Sequence, residues 1–208
     1  MIVAIGVSYA WIDRSLCEWI YTHGLRDNLL PLAALFEWPP LMSVLAPLML
    51  ILASILPPGR QRHLLILVGL SVLMTFVLKN DLKWVFSRYW PMTWTHHNPS
   101  WISHRVYGFQ WFQGCLFQGN DQTGSFPSGH AAVAFAALLP VGIVYRKLMV
   151  FVLTVAAVEA FSMVAFNYHF LSDILAGAMV GIFCALLIDR LLAVQETKKG
   201  PFQRGNPK

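Results

Sequence analysis

The sequence predicts an all-α integral membrane bundle, with about five transmembrane helices behind an N-terminal amphipathic helix that lies at the bilayer interface. Three observations predict it. Of 208 residues, 57% are hydrophobic and only 12% are charged, whereas a soluble domain is near half apolar and a quarter charged. The apolar residues gather into runs near the ~20 residues that cross a bilayer as a helix. The basic residues stand at the ends of those runs and form no patch. The net charge of +5 therefore reads as orientation in a bilayer and excludes nucleic acid as the expected partner.

Taken in order, residues 2–11 are apolar but too short to span, and they lack the basic flank and cleavage site of a signal peptide. Residues 12–30 mix Ile12, Leu16, Trp19, Ile20, Leu25 and Leu29 with Asp13, Arg14, Glu18, Arg26 and Asp27, the pattern of an interfacial helix. Spans are expected at about 39–56, 63–82, 130–145, 148–168 and 171–194, the third slightly short. Pro57-Pro58-Gly59 ends the first span. A long connection, 83–129, separates the second from the third. Residues 1–194 then form one membrane domain, and the polar tail 195–208 is expected to be disordered. Cys17, Cys115 and Cys184 are far apart and show no metal-ligand spacing, and a Cys17–Cys115 disulfide is not expected.

Arg60 and Arg62, Arg146 and Lys147, and Arg190 with the tail lysines fall on one side of a five-span chain. The positive-inside rule makes that side cytoplasmic. The long connection and the short one at 168–171 then share the outer face, which is periplasmic for an inner membrane.

Three patches meet on that face. The first, Lys83 to Pro91, includes Arg88. The second is Ser125-Phe126-Pro127-Ser128-Gly129-His130, opening an apolar helix. Amides at a helix start favour an anion, above all a phosphate. Gly129 lets the backbone approach closely, Ser128 adds a hydroxyl, and His130 can carry a proton near neutral pH. The third runs from Ser162 through Asn167 and His169 to Asp173. His169 and Asp173 are four apart and share a helical face, so the carboxylate can orient the imidazole and leave its other nitrogen nucleophilic. The second and third patches alone also read as ordinary capped helices. Together they supply two histidines, a carboxylate and cations, which suits metal-free phosphoryl transfer.

Pro127-Ser128-Gly129-His130, Ser162-x6-His169-x3-Asp173, and Lys83 with Pro91 resemble the three motifs of the type-2 phosphatidic acid phosphatase family, whose fold is shared with vanadium haloperoxidases. Those motifs are Lys-x6-Arg-Pro, Pro-Ser-Gly-His and Ser-Arg-x5-His-x3-Asp. The resemblance covers roughly residues 12–193. It implies that His169 attacks phosphorus, that His130 is the acid and then the base, and that Asp173 orients His169. It further implies that Lys83, Arg88, Ser128, the Gly129 amide and Asn167 hold the phosphoryl oxygens. It implies no metal and no cofactor. Two positions depart from the motifs, because Trp90 and Met163 stand where arginines are expected. Arg88 is the expected replacement, with His104 and Arg105 as further candidates. The expected substrate is a lipid phosphomonoester or diphosphate reached from the bilayer. A lipid phosphotransferase and a non-catalytic lipid-phosphate binder are the alternatives. Glu159, inside the fourth span, is expected to be structural or a secondary proton site.

Overall fold

The computed structural model describes residues 1–93, 97–114 and 122–198. His96, Cys115 and the tail from Lys199 lie outside the described residues.

The N-terminal segment differs from the expected division at residue 12. Helix α1 (Ile2–Val7) passes through a π turn (Ser8–Ile12) into α2 (Asp13–Thr22). The interruption comes instead at Gly24, whose φ of 61° is left-handed and therefore suits glycine. A π turn shifts the helical face. Here the face that carries Ser8, Asp13, Cys17 and Ile20 is buried, so this segment is part of the bundle as well as an interfacial element, and α1 packs against α9. Cys17 is a free thiol, and burial pushes its pKa up to about 12.

Helix α3 (Leu25–Leu29) and a 3-10 turn (Leu30–Phe36) lead into α4 (Trp38–Ile55). Helix α5 (Arg60–Phe86) runs past the expected end of the second span. Lys83 is therefore helical, in the last turn of α5, and not the first residue of a loop. Lys79 lies one turn before it on the same face. The long connection holds the short helix α6 (Trp101–His104) and two isolated bridges, Arg88 to Phe109 and Trp90 to Ser100.

Helix α7 (Gly129–Val144) is followed by a 3-10 turn (Arg146–Leu148), α8 (Met149–Ala165) and α9 (Leu171–Lys198). Helix α9 continues beyond the expected start of the polar tail, through residues that favour helix. Among the described residues, four helical stretches are long and apolar enough to cross a membrane. Helix α7 is the exception: at 16 residues it spans about 24 Å, less than the ~30 Å hydrocarbon core. It needs no lipid-matched length, because α4, α5, α8 and α9 surround it. Ala131, Ala132, Ala134 and Ala136 are wholly buried there. Small residues let α9 approach closely: a Cβ added at Gly177 would lie 2.4 Å from the Ser128 carbonyl oxygen, and one at Gly181 2.2 Å from that of Ala132.

Candidate active site

The second and third patches are joined directly. Ser128 caps α7, its Oγ accepting from the Ala131 amide at 3.4 Å. Its own amide donates to the Asp173 carbonyl at 3.0 Å. After α8, Asn167 adopts a left-handed φ of 57° and turns the chain back, and the His169 amide donates to the Met163 carbonyl at 3.1 Å. His169 is buried, with Nδ1 3.6 Å from Asp173 Oδ2. That separation is slightly long for a hydrogen bond, and catalytic bonds commonly tighten when substrate binds. Asp173 is fully enclosed; its Oδ2 accepts from the Phe170 amide at 2.9 Å and from Ser125 Oγ. Burial holds the His169 pKa below the ordinary imidazole value, and Asp173 works against that shift.

A cavity of about 420 Å³ opens beside this pair. Its lining includes His169, His130, Gly129, Lys83, Lys79, Trp90 and Glu37, with Pro40, Val44, Phe76 and Val133 among its apolar residues. Both histidines therefore face one space. His130 Nε2 is buried without a hydrogen-bond partner and lies 3.9 Å from Glu37 Oε2. Lys83 Nζ donates to the Gly124 carbonyl and stands 5.4 Å over the Trp90 ring. The Trp90 ring is itself 5.4 Å from that of His169.

A family model for the PAP2 superfamily matches residues 64–195. The chain belongs to the PAP2 superfamily. Membership supports a phosphatase-type activity. No curated protein and no solved structure matches the chain. The matched region contains His130, His169 and Asp173, and it excludes α1 to α4 with Asp13 and Glu37.

Within this PAP2 site, several expected phosphate ligands stand elsewhere. Arg88 is fully buried behind Asp173, away from the cavity. Its Nη1 donates to Asp173 Oδ1 and, at 2.6 Å, to Ser172 Oγ. Its Nη2 donates to Asp13 Oδ2 at 2.7 Å and to the Tyr107 hydroxyl at 2.9 Å. Burial disfavours this charge, and Asp173 and Asp13 more than offset it, raising the pKa. A guanidinium held by two carboxylates does not replace the absent motif arginine at the phosphate. Ser128 is fully buried and its Oγ is engaged in the cap. Asn167 Nδ2 donates to the Cys17 carbonyl at 3.1 Å, tying down the N-terminal segment and not facing the cavity. Arg105 pairs with Glu18 at the surface, and His104 accepts from the Ser100 amide at 3.4 Å. Met163 packs in the core against Ile20 and Ala131. Among the described residues no cluster of metal-ligating side chains forms.

Sequence reasoning missed Asp13, Ser125 as a partner of Asp173, Glu37 and Lys79. Only Lys79 carried a signal, a cation four residues from Lys83 inside an apolar run. Glu159 is buried beside a separate cleft of about 240 Å³ lined by Leu35, Trp38 and Val158, and does not line the cavity that holds the two histidines.

Proposed function

We propose that the chain is a metal-independent lipid phosphatase of the inner membrane that hydrolyses a lipid phosphomonoester or diphosphate through a phosphohistidine intermediate. The observation that carries this reading is the composition of one cavity. Its lining holds both histidines and two lysines beside the carboxylate of Glu37, and it includes Val44 and Phe76, which are exposed on the flank of the bundle. An amphiphile fits such a space with its phosphate at the histidines and its chain toward lipid.

In this reading, Asp173 orients His169 through Nδ1 and leaves Nε2 to attack phosphorus. The N–P bond forms as the bond to the leaving oxygen breaks, and that oxygen takes the proton of His130. Water then attacks phosphorus and gives a proton to His130. The N–P bond breaks, which returns His169 and releases phosphate. Lys83, the Gly129 amide and the start of α7 stabilise charge on the phosphoryl oxygens. The positive-inside pattern supports a periplasmic site and a cytoplasmic C-terminus.

The test is phosphate release by detergent-purified protein from a panel of lipid phosphates, beside His169→Ala. The wild type is expected to release phosphate from at least one lipid and to retain label from a radiolabelled phosphoryl group, and His169→Ala to do neither. Equal release by both proteins on every substrate sinks the reading. Product analysis with an added acceptor lipid separates hydrolysis from phosphotransfer.

A further inference from the structure

A phosphomonoester brings about −1.5 to −2 charge into the site at neutral pH, and transfer spreads charge over three equatorial oxygens. The resemblance leads one to expect a lysine and two arginines there. Trp90 and Met163 occupy the arginine positions, Met163 is in the core, and Arg88 is held by Asp13 and Asp173. The cavity nevertheless has a second cation besides Lys83. Lys79 lines it from one turn further along α5.

Its placement points at the phosphoryl position. Lys79 runs alongside the first residue of α7: a Cβ built on Gly129 would lie 3.4 Å from its Cδ and 3.7 Å from its Nζ. The ammonium group therefore stands next to the helix start, where amides and dipole favour an anion. Nζ donates to Asn80 Oδ1 at 2.7 Å, a neutral amide, and among the described residues no carboxylate pairs with it. An ionisable residue within an apolar span is costly and functional by default. A lysine with only a structural role would extend its stem toward the interface and its head to water. Lys79 instead lines the cavity that holds both histidines, its Nζ lying 4.7 Å over the ring of Phe76, another lining residue.

We propose that Lys79 is the second cation of the phosphoryl clamp, supplying the charge that an arginine at position 90 would supply. This rests on reading the site as a phosphatase. An ammonium is a compact point charge without the bidentate fork of a guanidinium, so Lys79 neutralises charge and the α7 amides supply direction.

The experiment compares the full-length wild type, Lys79→Met, Lys79→Gln, Lys79→Arg and His169→Ala in detergent. It measures phosphate release from a lipid phosphomonoester and from an isoprenyl diphosphate, and separately orthovanadate binding by vanadium NMR. Lys79→Met and Lys79→Gln are expected to lower kcat/KM about 100-fold on both substrates and to weaken vanadate binding at least about tenfold. Lys79→Arg is expected to stay within about tenfold of wild type. Folding of each variant is checked by circular dichroism and gel filtration, and methionine suits an apolar span. Vanadate affinity and monoester turnover within about threefold of wild type in a folded Lys79→Met protein overturn the proposal. So does a loss confined to the diphosphate, which would place Lys79 on the leaving group. A wild type that turns over no substrate but binds vanadate in a Lys79-dependent way sinks the phosphatase reading and leaves the clamp standing.

Discussion

Arg88 holds two carboxylates from opposite ends of the chain. Its guanidinium joins Asp13 to Asp173, and the rings of Phe170, Tyr9 and Tyr107 pack around it at 4.4, 5.0 and 5.1 Å. Asp13 also accepts from Ser8 Oγ and from the Ser172 amide. Removing Asp13 takes the acceptor from the buried donors of Arg88, Ser8 and Ser172, and an unsatisfied buried donor costs about 1–3 kcal/mol. Asp13→Ala is therefore expected to lower the thermal midpoint of the solubilised protein. It should also slow phosphate release, since Asp173 then answers Arg88 alone and serves His169 less well. An unchanged midpoint would show the triad to be unimportant. The same neighbourhood sets a pH dependence. His169 must be neutral to attack, and burial depresses its pKa, so the neutral form persists below the ordinary ~6.5. The acid limb of kcat/KM is expected below that value. Asp173→Asn removes an influence that raises the His169 pKa, so its limb should move lower still while the rate falls. A limb that moves upward contradicts this account of the pair.

At the scale of elements, the site depends on how closely α9 lies on α7. Gly177 and Gly181 are four apart on one face of α9 and let the two backbones meet, as small residues do between membrane helices. That approach holds the Ser128 amide on the Asp173 carbonyl and so sets the start of α7 beside His169. Gly181→Val is expected to force the helices apart and to cost about 1–3 kcal/mol, with loss of activity alongside a lower thermal midpoint. Gly6→Ala is the matched control, since a Cβ there meets nothing within 4 Å. Similar losses in both variants would remove close packing as the cause. The N-terminal segment is a further element in contact with residues around the site. It lies outside the matched family region, yet Asp13 reaches Arg88 and the Cys17 carbonyl accepts from Asn167.

Across the whole molecule, the cavity joins the end of the bundle that carries the histidines to an exposed apolar flank. Val44 is 68% exposed and Phe76 42% exposed, yet both line the cavity that holds the histidines. Their exposure marks the side from which a chain-bearing substrate would reach the site. Val44→Trp is expected to raise KM for a long-chain lipid phosphate roughly tenfold and to leave turnover of a short soluble phosphomonoester unchanged. Equal effects on both substrates would argue for access from the aqueous face instead.

The membrane class and the helical runs were legible in the sequence, because apolar runs and the i, i+4 spacing of His169 and Asp173 are local properties, whereas four of the five expected spans are long and apolar enough to cross among the described residues. The pairing of His130 with His169 was legible too, since the order of spans brings both to one end of the bundle. What the sequence could not decide was which cation meets which anion. Arg88 and Asp13 are 75 residues apart, and a charge in a sequence carries no mark of its partner. Local pattern also placed Lys83 in a loop, because the apolar run ends before it while the helix, held by packing against α7 and α9, continues. That one extension sets Lys83 and Lys79 on a single face of α5. The tertiary structure alone set Arg88 behind Asp173 and brought Lys79 to the start of α7, because only packing chooses among charges that the sequence leaves equivalent.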